Sequence, residues 1–161
     1  MKTKNLFFSY WKSILVTVGI CYLLFAPPST FESAPRFPHS DKVVHFVMFF
    51  VLTAVLIYEF QKWTNGRKDE RTKNSHAQFL NNDISSFRLF AHSRNFVLSC
   101  LVFPIALGGA TEILQEMFFK PRSAEWFDWA ADIAGVLAAW AIFLFARKAR
   151  MGERANLKSE I

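Results

Sequence analysis

His45, Glu112, Asp128 and Asp132 stand inside stretches that are otherwise apolar, where ionisable side chains are costly and mark either a functional site or a polar lock between helices. Asp41 and Lys42 come just before the first of them, Gln115 follows Glu112, and Arg122 precedes Asp128 by six positions. The set holds four carboxylates, two fixed cations and one titratable imidazole, so it has excess acid. In a low-dielectric setting such groups must pair, share protons or bind a cation. His45 and Glu112 are the candidates for general acid or base. Arg122 is the candidate for a two-pronged contact, either to Asp128 or to a phosphate or carboxylate on a ligand.

Their spacing is helical. Asp41 and His45 are four apart; Gly108, Glu112 and Gln115 follow at four and three; Asp128, Asp132, Gly135 and Ala139 follow at four, three and four. Side chains three and four apart share a face, so each helix carries one polar stripe. On the last helix the stripe continues as small residues, which let a neighbouring backbone approach closely and draw both carboxylates inward.

The elements that must hold these stripes are blocks apolar on every face. Of 161 residues 52% are hydrophobic, about 84 side chains, enough for four membrane spans of roughly 20 residues each. The blocks are 11–26, ended by Pro27 and Pro28; 43–60, introduced by Ser40 and Asp41 as a helix N-cap pair; 95–119, interrupted by Pro104, Gly108 and Gly109; and 126–146. Pro104 is expected to kink the third helix. The expected architecture is all-α: a four-transmembrane-helix bundle over 1–146, followed by a basic tail over 147–161. A cleaved signal peptide is the rival for the first block, with Lys2 and Lys4 ahead of it and small residues at Ser33 and Ala34. Pro35 directly after Ala34 disfavours cleavage there and favours a retained helix.

The net charge of +6 is distributed as topology signals are. Three Lys/Arg lie in the N-terminal segment (Lys2, Lys4 and Lys12), seven in the 61–94 loop and five in the tail, fifteen of the nineteen. Only Arg36, Lys42, Lys120 and Arg122 lie in the two short loops. The positive-inside rule then puts both termini and the central loop in the cytoplasm and the two short loops outside. All the ionisable residues of the stripes thereby share one depth, the outer half of the membrane. Because the basic residues flank spans, nucleic acid is not an expected partner despite the aromatic content. Between Ser75 and Phe90 scattered apolar residues suggest partial order at the membrane surface. Cys21 and Cys100 sit within apolar blocks with no second cysteine or histidine at ligand spacing, as packing residues do.

Three motifs occur in order on these helices: Asp41-Lys42-Val-Val-His45 with Phe46, Gly109-Ala-Thr-Glu112-Ile-Leu-Gln115 with Glu116, and Pro121-Arg122-Ser123 followed by Asp128, Asp132 and Gly135. They resemble the VanZ-like family of small bacterial membrane proteins over roughly 40–139. The resemblance implies a four-helix membrane domain in the bacterial cytoplasmic membrane and a link to teicoplanin tolerance, through a founding member found in a glycopeptide-resistance cluster. It implies no biochemical activity.

The expected ligand-binding set is Asp41, Lys42, His45, Glu112, Gln115, Arg122, Asp128 and Asp132, and the expected ligand is an amphiphile or lipid-linked headgroup at the outer leaflet, such as a cell-wall precursor or a lipoglycopeptide. A headgroup enzyme and a purely structural helix lock are the competing readings. No cofactor and no resident metal are expected, since one intramembrane histidine with scattered carboxylates matches neither zinc spacing nor the ExxH pairs of diiron bundles; Mg²⁺ or Ca²⁺ bridging the acid to a phosphate stays open. Transport would require a homo-oligomer to enclose a path. Glu59, Glu116 and Glu125 are expected at the interfaces, solvated. His39 is expected in a loop, and His76 and His92 on the cytoplasmic side.

Overall fold

A computed structural model describes residues 10–26, 40–72, 94–118 and 125–159, and within them the chain is all-helical, without strands. The helices are α1 (Trp11–Phe25), α2 (Ser40–Thr72), α3 (Arg94–Phe118) and α4 (Trp126–Ser159). Three segments, Ser40–Thr64, Arg94–Phe118 and Trp126–Arg150, are long and apolar enough to cross a membrane, whereas α1 is shorter. Large apolar side chains such as Val47, Val51, Ile113, Leu137, Ile142 and Phe145 point outward. An apolar exterior of this extent suits lipid rather than water.

Apolar blocks and helices agree closely at the starts and less well at the ends. α2 and α4 run on through polar sequence, to Thr72 and Ser159, where a loop and a tail were expected from 61 and 147. Those extensions are rich in Lys, Arg, Glu and Gln, which are strong helix formers once a helix has been nucleated. Helix α2 begins at Ser40 itself. The segment around Ser75–Phe90, the proline pair after α1 and the candidate cleavage residues Ser33 and Ala34 lie outside the described residues, as do His39, His76 and His92.

Just upstream of Pro104, where the sequence predicts a kink, α3 contains a π turn. Residues Leu98–Val102 bond with the wider repeat, and the Phe103 N–H reaches the Leu98 carbonyl. Proline has no N–H to give, and a π turn upstream is one way for the ladder to absorb the missing donor.

The interior is divided lengthwise. Towards the end of the assembly where α1 starts, the core is aromatic: Phe96 is fully buried, with ring centroids 5.1 Å from Phe60, 5.0 Å from Trp140 and 5.7 Å from Phe143. Phe49, Leu52, Cys100 and Val136 fill its middle. Both cysteines are unbridged, Cys100 buried and Cys21 partly so, in keeping with packing roles. At the other end, where α2 and α4 start and α3 finishes, the interior turns polar.

Two side chains from neighbouring helices hold the ends of α1. Glu59 on α2 is buried, and its carboxylate accepts from the backbone N–H of Lys12 (3.0 Å) and Ser13 (3.1 Å) and from the Ser13 hydroxyl. Those amides belong to the first turn of α1, whose N–H groups have no partner within the helix, and a carboxylate there also answers the positive end of the helix dipole. Glu59 is therefore a helix cap and not the solvated interfacial residue expected of it. Glu116 is exposed, as anticipated. At the far end of α1, Gln115 Nε2 donates to the Leu24 carbonyl at 2.8 Å.

Candidate functional site

Three helix ends meet to build the polar interior. Asp41, Lys42 and His45 come from the first turns of α2, Gly108, Glu112 and Gln115 from the last turns of α3, and Asp128 and Asp132 from the first turns of α4. Two glycines allow the approach. A Cβ on Gly135 would collide with the Phe46 carbonyl and come within 3.0 Å of Phe50 N, so α2 and α4 touch backbone to backbone there. A Cβ on Gly108 would come within 2.6 Å of Asp132 Oδ2, so the carboxylate occupies the space that a side chain on α3 would need. Trp129 covers Gly109 in the same way and donates from Nε1 to the Ile105 carbonyl at 3.1 Å.

The groups form two layers. In the outer layer Lys42 Nζ sits among three carboxylates, 2.8 Å from Glu125 Oε2, 2.9 Å from Asp128 Oδ1 and 3.2 Å from Asp41 Oδ2. Its three donors are thereby all engaged. Asp41 and Glu125 are exposed, whereas the Asp128 side chain is 13% exposed.

In the inner layer His45 Nδ1 bonds Asp132 Oδ1 at 3.0 Å, and both residues are buried. Asp132 has no exposed surface at all. Glu112, 6% exposed, bridges the turn between α3 and α4: its Oε2 accepts the Glu125 N–H at 3.2 Å. Glu125 stands at the mouth of α4, its carbonyl accepting the Asp128 N–H at 2.9 Å. Glu112 Oε1 faces His45 Nδ1 at 3.9 Å, too far for a hydrogen bond. Glu112 Oε1 and Asp132 Oδ2 are both buried without a hydrogen-bond partner among the described residues. A buried acceptor left open costs about 1–3 kcal/mol, more when charged.

Of the eight residues expected to bind a ligand, six come together as one cluster: Asp41, Lys42, His45, Glu112, Asp128 and Asp132. Gln115 lies one helical turn beyond Glu112, and its amide is engaged with α1. Arg122 lies outside the described residues. The residue missed was Glu125, which is exposed as expected yet supplies Lys42 with its shortest ion pair. Its three-residue separation from Asp128 was the available signal, since a helix start puts both on one face.

With Glu125 included, the described cluster has five carboxylates facing one lysine and one histidine. Its net charge is negative even with the imidazole protonated. The carboxylate surplus draws cations and amine-bearing groups, and an anionic ligand needs an additional positive charge before it can enter. Comparison of the chain with models of protein families, with curated proteins and with solved structures found no match.

Proposed function

We propose that this chain is a multi-pass protein of the bacterial cytoplasmic membrane, VanZ-like in kind, with four spanning helices and with both termini and the central segment in the cytoplasm. On this reading the polar cluster opens towards the outer leaflet and receives the headgroup of an amphiphile, either a lipid-linked cell-wall precursor or a lipoglycopeptide such as teicoplanin. The observation that carries the reading is Glu112: a carboxylate within a helix long and apolar enough to cross a membrane, buried beside His45, with one oxygen that none of the described residues satisfies. Leaving an acceptor open at that depth is costly, and a ligand that donates to it removes the cost. Lys42 and Asp128 form a partly exposed rim above it. An amine on the ligand suits the carboxylate surplus directly; a phosphate would need Arg122.

A structural reading is favoured by a different observation. The His45–Asp132 bond, the Gln115–Leu24 bond and the Gly135 contact all join one helix to another, as an internal lock would. Teicoplanin susceptibility of cells expressing wild type, Glu112→Gln or Arg122→Ala, normalised to the protein in the membrane fraction, separates the two. Normal accumulation with lost protection supports a ligand site. Protection that falls only in proportion to abundance refutes it in favour of the lock.

A further inference from the structure

We propose that His45, Glu112 and Asp128 form a binding site for one divalent transition-metal cation of the Mn²⁺ or Zn²⁺ class, with Asp132 as the residue that positions His45.

One ring nitrogen of His45 and one carboxylate oxygen each from Glu112 and Asp128 lie within 4.8 Å of one another. Metal–ligand bonds of about 2.0–2.2 Å hold ligand atoms up to roughly 4.4 Å apart, so closure by a few tenths of an ångström brings all three into one coordination sphere. The three come from three helices, α2, α3 and α4.

A second observation, independent of the clustering, is the open acceptor. Glu112 is more than nine-tenths buried, and its Oε1 has no hydrogen-bond partner among the described residues and faces the imidazole. A cation would satisfy that oxygen and offset part of the carboxylate surplus. His45 Nδ1 is engaged by Asp132 at 3.0 Å and is also the ring nitrogen 3.9 Å from Glu112 Oε1, so the ion has to take Nε2 for Asp132 to orient the ring from behind.

The neighbouring trio of Asp41, Glu125 and Asp128 is also close enough to hold an ion, but Lys42 Nζ already sits among its oxygens. Of the inner trio only Asp128 meets Lys42, through Oδ1 at 2.9 Å; among the described residues no Lys or Arg pairs with Glu112. One imidazole with two carboxylates suits borderline ions that accept both nitrogen and oxygen, rather than Ca²⁺ or Cu⁺. Three protein ligands leave coordination positions for water or for an oxygen of a bound headgroup. The cation site does not depend on the headgroup reading and is tested with metal alone.

The test uses the full chain, chelator-stripped, in phosphatidylcholine nanodiscs titrated with Mn²⁺, with free ion followed by electron paramagnetic resonance and empty nanodiscs as the blank. The expected result is one saturable ion per chain, displaced by Zn²⁺, with Glu112→Gln raising the Kd at least tenfold and Asp41→Asn changing it less than twofold. Wild type gives a further readout that needs no variant: bound Mn²⁺ should show ¹⁴N modulation from the imidazole in pulsed spectra. Three results would overturn the site: no stoichiometric binding, unchanged affinity in well-folded Glu112→Gln, or bound Mn²⁺ without nitrogen modulation. An equal loss in Asp41→Asn and Glu112→Gln would also refute it, since that is the behaviour of a diffuse acidic surface. Failure here leaves the teicoplanin experiment unaffected.

Discussion

Replacing Gly135 by alanine adds one methyl group at the tightest point between α2 and α4. The new carbon would overlap the Phe46 carbonyl oxygen and stand 3.0 Å from Phe50 N. Both are backbone atoms in the middle of a helix, so neither can swing away as a side-chain tip could. A carbon–oxygen contact relaxes to about 3.3 Å or more, so α2 and α4 must separate by on the order of 1 Å at that level. Overpacking of this kind costs about 1–3 kcal/mol. Separation also stretches the His45–Asp132 bond, now 3.0 Å, past the distance at which it counts as a hydrogen bond. Weakening a hydrogen bond between buried ionisable groups adds roughly 1–3 kcal/mol. Gly135→Ala is therefore expected to lose about 2–6 kcal/mol. The assay is equilibrium unfolding of the purified chain in mixed micelles or bicelles, with Gly152→Ala as the matched control. Gly152 has open space around it, and there the same change should be neutral or stabilising by about 0.5–1 kcal/mol through helix propensity. Equal stability of the two variants would refute the argument, because it would mean that α2 and α4 do not touch backbone to backbone.

The two staples on α1 make further predictions. Glu59→Ala removes the acceptor from two backbone amides and one hydroxyl and should cost about 1–3 kcal/mol; amide exchange at Lys12 and Ser13 should rise while that at Phe49 stays slow. Gln115→Leu removes one donor from the Leu24 carbonyl and should lower stability by about 1 kcal/mol, with faster proteolysis just after α1 as the readout. Unaltered exchange in the first variant, or unaltered cleavage in the second, would show that the ends of α1 are satisfied in some other way.

The inner cluster could be read from the sequence because its logic is local. Asp41 with His45, and Asp128 with Asp132, are each one turn apart, and a helix turns such pairs to one side whatever surrounds it. Gly108 and Gly135 were legible as small residues on the same stripes, though which neighbour each admits was not. Glu59 was illegible for the opposite reason: its partners lie 46 and 47 positions earlier in the chain, and an acid near the end of an apolar block looks the same whether it faces water or caps another helix. The polar extensions of α2 and α4 were misread as loop and tail because apolar content marks where lipid ends, not where a helix ends. The π turn at Leu98–Val102 followed from Pro104 only in kind; proline announces a missing donor without specifying how the ladder closes around it.

The two staples on α1 also bear on how the chain is assembled. Fifteen residues of helix rise about 22 Å, short of the roughly 30 Å of hydrocarbon that a spanning helix crosses, so on the four-span reading proposed above the end groups of α1 fall where water is scarce. Glu59 and Gln115, which satisfy them, are synthesised 46 and 102 residues after Ser13. On that reading α1 leaves the ribosome without these two partners and gains them only when α2 and then α3 arrive beside it. A chain truncated ahead of α3 would contain the whole of α1 and still lack the Gln115 amide that ties its far end to α3.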